Sequence, residues 1–227
     1  MYIALPVITA IVCLLSFLLM LKDSDNTIKV CKGEDETAPL PDRLLPLSGY
    51  IYSGVCIVIT VLIAVFFPRI YSQNSIWVNV KRMTLLAIIW PVAYIDLKTL
   101  RIPNLFILEG LICRGIILCF EFLLGHENVW SLLLTEVIAA AALLLASLLC
   151  ILVVKNGIGF GDMKLFVVMG LLLGLDGIWG AIFMALIVSF FIALYVLITK
   201  KKTRKDAIPF GPALVIGTYL SICLSGM

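Results

Sequence analysis

Two aspartates stand where a carboxylate is expensive. Asp96 closes an apolar run in "AYIDLKTLRIPN", and Asp162 follows three glycines in "NGIGFGDMKLF". An acid at the border of hydrocarbon is a functional candidate by default, because its desolvation must be offset by something. Two carboxylates brought within a few ångströms of one another cannot both ionise comfortably and share a proton. The charged member can then take a proton from water while the neutral member hydrogen-bonds a substrate carbonyl. That is peptide hydrolysis with no metal and no cofactor. A paired acid site can equally carry protons through a transporter.

The residues around the two acids fit an irregular, hydrated site. Pro103 disfavours helix for Ile102, so the chain turns there and a new helix starts near Asn104. Pro91, five residues before Asp96, removes a helix hydrogen bond and is expected to kink its helix. Gly159 and Gly161 let another backbone approach closely. A phosphate loop would need a preceding strand and a G-K-[ST] ending, and neither is present. Lys164 is best read as a topological charge, ahead of a phosphate or C-terminal carboxylate ligand. A third stretch, "DAIPFGPALVIG", has Pro209, Gly211 and Pro212 at the start of the last apolar run. Such backbone is tolerated at membrane depth where it is buried in protein or lines a wet cavity.

The other acids read more plainly. Glu121, Glu136 and Asp176 fall near outer helix ends, where solvation at the interface is expected. Glu109 and Arg114 lie deeper, five residues apart, which is poor spacing for a pair on one helix face. Each is expected to pair with another helix or to snorkel. Six of the seven cysteines lie in apolar runs, only Cys31 is in a polar stretch, and no C-x-x-C occurs. With His126 alone between helices, no metal site is expected.

The elements that position these groups are membrane helices. The chain of 227 residues is 63% hydrophobic and only 14% charged, more apolar than a soluble core of this size can bury. About eight apolar spans follow, roughly 2–21, 48–68, 83–97, 104–124, 131–154, 163–176, 178–198 and 208–226. The expected fold is an all-α polytopic membrane bundle. The first run lacks a basic leader region and a small-residue cleavage site, so it reads as a helix and not a signal peptide. Residues 1–79 supply N-terminal helices with a short polar loop at 22–47, and 80–227 the core with both acids. Placing the loops at 22–47, 98–103, 155–164 and 199–207 on one side gathers 13 of the 17 Lys and Arg there. That side is expected to be cytoplasmic, with both acids at its border. The basic run Lys200–Lys205 is topological or touches anionic lipid, and no nucleic acid partner is expected.

Three of these segments, "YIDLKTLRIPN", "GIGFGDMKLF" and "IPFGPAL", resemble in order and setting the type IV prepilin peptidases, membrane aspartyl proteases of the GxGD class. The likeness covers roughly residues 80–226. It implies that Asp96 and Asp162 are the catalytic pair. Gly159, Gly161, Lys164, Pro103, Asn104, Pro209, Gly211 and Pro212 would shape the site or hold substrate. It implies a prokaryotic cytoplasmic-membrane enzyme whose substrates are prepilins or pseudopilins. These carry a short basic leader that ends, usually in glycine, before an apolar helix. Acidic residues of the 22–47 segment would then face that leader. Many such peptidases carry paired C-x-x-C zinc sites after the first helix and also methylate the new N-terminus. Here that region has Cys31 alone, so methylation does not carry over. Presenilin-like proteases share G-x-G-D and Pro-Ala-Leu, but here Tyr94 is two residues from the Asp, and the Ile-Pro-Asn turn favours the prepilin peptidases. Outside the enzymes, the remaining reading is a proton-coupled transporter or a membrane assembly subunit.

Overall fold

The apolar runs fold as helices throughout. The computed structural model describes residues 4–34, 47–70, 74–124, 128–153, 159–199 and 209–225. Every regular element among them is helical: α1 (Ala4–Glu34), α2 (Leu47–Ile70), α3 (Ile76–Thr99), α4 (Asn104–Leu123), α5 (Val129–Val153), α6 (Phe160–Ile198) and α7 (Gly211–Ser225). Five of them are long and apolar enough to cross a membrane. The protein is an all-α membrane helical bundle. His126 and Lys200–Lys205 lie outside the described residues.

The elements differ from the expected spans in three places: α3 starts at Ile76, not 83, and so takes in Lys81 and Arg82, and the other two lie in α1 and α6. α1 continues through Glu34 where a loop was expected at 22–47; the chain has no proline between Pro6 and Pro39 to stop it. The expected sixth and seventh spans form one element, α6, broken at Gly174 with φ 66° and ψ −175°. That conformation is open essentially to glycine alone. The break falls two residues before Asp176, which is exposed as expected. Its first arm, Phe160 to Leu173, is only about 21 Å long at 1.5 Å per residue.

α3 is the central post. It is buried without interruption from Asn79 to Asp96 and packs against α1, α2, α4, α6 and α7. A helix covered on all sides belongs in the middle of a bundle. Pro91 lies inside α3 without ending it. The hydroxyls of Tyr52 and Tyr219 donate to the Trp90 and Leu86 carbonyls at 3.2 and 3.3 Å, so polar groups of α2 and α7 attend the turn around the proline. α5 and the first arm of α6 approach closely at Gly170, where a Cβ would stand 2.8 Å from the Ala140 backbone. Small residues at such crossings let membrane helices gain packing contact.

α4 shows the inside-out logic of the bilayer. Its buried face carries Glu109, Arg114 and Glu121 with Phe106, Gly110 and Ile117, while Leu108, Leu111, Ile112 and Ile116 point outward. Two of these charges, Arg114 and Glu121, form a cluster with Lys81 of α3 and Glu136 of α5. Lys81 Nζ lies 2.5 Å from Glu136 Oε1 and 3.3 Å from Glu121 Oε1. Arg114 Nη1 lies 3.1 Å from Glu121 Oε2, and its Nε donates to Glu136 Oε2 at 2.7 Å. Arg114 Nη2 adds an ion-pair contact to Glu136 Oε2 at 2.5 Å without hydrogen-bond geometry. None of the four residues is more than 5% exposed. This corrects the expectation of interfacial solvation for Glu121 and Glu136: their helix faces turn inward, and two cations compensate them there. Arg114 does pair with another helix, and Glu109 accepts a 2.6 Å hydrogen bond from Ser16 of α1.

Candidate active site

The site is built where α3 ends, α4 begins and α6 and α7 start. α3 stops at Leu100, whose N–H donates to the Asp96 carbonyl at 2.9 Å. Leu100 is left-handed, with φ 53° and ψ 33°. Helices end this way commonly, but usually on glycine. A side chain there costs about 1–2 kcal/mol. Pro103, extended at φ −65° and ψ 135°, then caps α4, which begins at Asn104. The corner places Asp96, Arg101, Ile102 and Asn104 on one cleft. Leu100→Gly is expected to stabilise the protein by about 1 kcal/mol through relief of the left-handed strain, read as a raised unfolding temperature in detergent. An unchanged or lowered temperature would show that the leucine side chain compensates its backbone.

Asp96 is buried, at 6% exposure. Its Oδ2 accepts the Gly211 N–H at 2.7 Å. Gly211 opens α7, so Asp96 satisfies one of the orphan N–H groups at that helix's N-terminus and sits at its positive end. A Cβ on residue 211 would lie 2.8 Å from the same oxygen. Glycine is therefore what lets α7 come this close. Phe210 holds the preceding turn by meeting Phe166 of α6 edge to face, with ring centroids 6.0 Å apart.

Asp162 occupies the third position of α6, after Gly159 as N-cap. Its carboxylate folds back on Gly159, where a Cβ would stand 3.2 Å from Oδ2, and the Met163 N–H closes the first turn on the Gly159 carbonyl at 3.2 Å. Asp162 thus holds the position from which the acid of a capping box returns to the N-cap. Gly161 packs on the α3–α4 corner, where a Cβ would stand 2.9 Å from that of Ile102. Lys164 Nζ donates to Asn104 Oδ1 at 2.9 Å, tying α6 to α4.

The resulting cleft has a volume of about 320 Å³. Asp96, Asp162, Gly159, Gly161, Asn104 and Lys164 line it together. Asp96 enters it from the end of α3 and Asp162 from the first turn of α6. Gly211 touches Asp96 from behind, while Pro103, Pro209 and Pro212 do not line the cleft. Leu100, Arg101, Ile102 and Phe160 line it too and were not singled out from the sequence. Arg101 and Ile102 follow once the corner is known, whereas nothing in the sequence marks Leu100 as left-handed. Two acids lining one cleft at helix ends have the composition needed to activate water against a polar bond.

The model of the type IV leader peptidase family matches residues 83–198, which include both acids. The match spans just over half of the chain, and the chain belongs to this family. Over 83 residues it is 31% identical to the prepilin leader peptidase/N-methyltransferase of Bacillus subtilis (strain 168). That stretch is 37% of this chain and 33% of the relative, so the chain spans about a third of the length of the curated protein it matches. No solved structure matches the chain.

Proposed function

We propose that this protein is a membrane aspartyl endopeptidase that removes the basic leader from type IV prepilins or pilin-like pseudopilins. The observation that carries the reading is the meeting of Asp96 and Asp162 in one cleft, from the ends of two helices distant in sequence. In the proposed reaction, the ionised member of the pair takes a proton from water as the water oxygen attacks the scissile carbonyl carbon. The protonated member hydrogen-bonds the carbonyl oxygen as negative charge develops there. Collapse of the tetrahedral intermediate breaks the C–N bond, and the leaving amine takes up a proton from the pair. The products are the leader, with a new carboxylate, and the shortened pilin, with a new amine.

The cytoplasmic membrane face is part of the proposal. The topology read from the sequence gathers 13 of the 17 Lys and Arg on the side of the two acids. Lys81, a basic residue expected on the opposite side, is buried and neutralised by Glu121 and Glu136, so it is no loop charge opposing that orientation. The proposal assigns leader removal and leaves N-methylation out, because the chain has no C-x-x-C pair. Purified protein in detergent should cut a synthetic peptide made of a basic leader, a glycine and an apolar segment, and mass spectrometry should find the leader released at the glycine. Failure to cut any basic-leader substrate would overturn the reading.

The contact behind Asp96 gives a second expectation. Gly211→Ala should slow this cleavage by about 10²-fold, the scale of a displacement of about 1 Å at a reacting group. The new methyl must push either α7 or the Asp96 carboxylate aside. A near-normal rate in a variant that unfolds at the normal temperature would show that the Gly211 contact does not position Asp96.

A further inference from the structure

A second hollow adjoins the cleft. Leu105, Ile107, Leu108 and Leu111 of α4 form its walls, and Asn104 and Lys164 line both it and the cleft. Its volume is about 530 Å³. Leu108 and Leu111 are 53% and 43% exposed, on the α4 face turned away from the charged interior. We propose that this groove docks the apolar membrane segment of the peptide substrate, next to the bond that is cut. The inference rests on the peptidase reading of the cleft and adds the route by which substrate reaches it.

Continuity with the cleft selects this occupant. Lipid chains cover any apolar helix face, but this one opens through two polar side chains onto the two acids. Leu108 and Leu111 lie about 6 and 10 Å along α4 from Asn104 at 1.5 Å per residue. An apolar helix in the groove therefore keeps its first turns against leucine while its end reaches the depth of Asp96 and Asp162. A peptide bond must leave the helix to be cut, and the freed backbone groups then need partners. Lys164 and Asn104 stand at that junction. One ammonium proton binds Asn104 Oδ1. The remaining donors of the ammonium and of the amide can meet carbonyls of the unwound turn.

The test places a benzophenone amino acid at Leu108 and, in a second variant, at Leu111. The control position is Leu145 of α5, also lipid-facing at 59% exposure. Each variant, and the unmodified chain, is reconstituted in vesicles with a synthetic peptide of basic leader, glycine and apolar helix. Light should cross-link the peptide through its apolar segment several-fold more from 108 or 111 than from 145, and unlabelled peptide should compete the product away. Equal yields from all three positions, with cleavage by the unmodified chain intact, overturn the docking site and leave the peptidase reading standing. If the unmodified chain does not cut the peptide, the peptidase reading falls and the docking site with it.

Discussion

Asp96→Asn and Asp162→Asn are each expected to slow leader cleavage by roughly 10²–10⁴-fold, the range lost when a positioned acid or base is removed. Asparagine preserves the shape of the side chain. At position 96 its carbonyl oxygen can still accept the Gly211 N–H, so the cap on α7 survives. What is lost is the proton that the pair must pass to and from water. In the proposed reaction the two acids act as one unit, so the double variant should be scarcely slower than the slower single one. The measurement is the rate of leader release at saturating peptide, with unfolding temperature in detergent as the check that each variant is folded. Near-normal cleavage by either asparagine variant would remove that aspartate from the mechanism. If cleavage is normal in both, the hydrolysis must be carried by other groups.

The features legible in the sequence were those that local chemistry dictates. Apolar runs in a chain with few charges had to become membrane helices, and Ile102-Pro103 had to break two of them apart. The two acids stood out because each sits at a helix end inside an irregular stretch. The contact between Gly211 and Asp96 was not legible: it joins positions that only packing brings together, although the broken backbone around Gly211 marked the segment as unusual. The fate of Glu121 and Glu136 was misread for a related reason. Nearness to a helix end suggests exposure, but in a bilayer the direction a residue faces matters more than its depth. A glutamate facing inward meets protein, and only the fold reveals that Lys81 and Arg114 are waiting there. The turn expected at "GLDGI" does appear, as the break in α6, and of its two glycines it is Gly174 that has positive φ.

The charge cluster carries the largest expected effect on stability. Arg114→Met should destabilise the protein by about 3–5 kcal/mol, because it leaves Glu121 and Glu136 buried with Lys81 as their only remaining partner in the cluster. Much of that loss is the penalty on the orphaned carboxylate, not the worth of the ion pairs themselves. Arg114→Met combined with Glu121→Gln should therefore recover part of it, with a coupling of about 0.5–3 kcal/mol between the two sites. Chemical unfolding in detergent, run on both single variants and the pair, measures this directly. Strict additivity would show that the cluster is hydrated enough for each charge to stand alone. Activity offers a separate reading. Lys81 and Asp96 share α3 but lie about 22 Å apart at 1.5 Å per residue. A cluster that only holds α3, α4 and α5 together should lower the amount of folded enzyme and leave the cleavage rate per folded molecule unchanged. A fall in that rate would mean that the far ends of these helices set the distance between the two acids, since α3 carries Asp96 and α5 packs along the arm of α6 that carries Asp162.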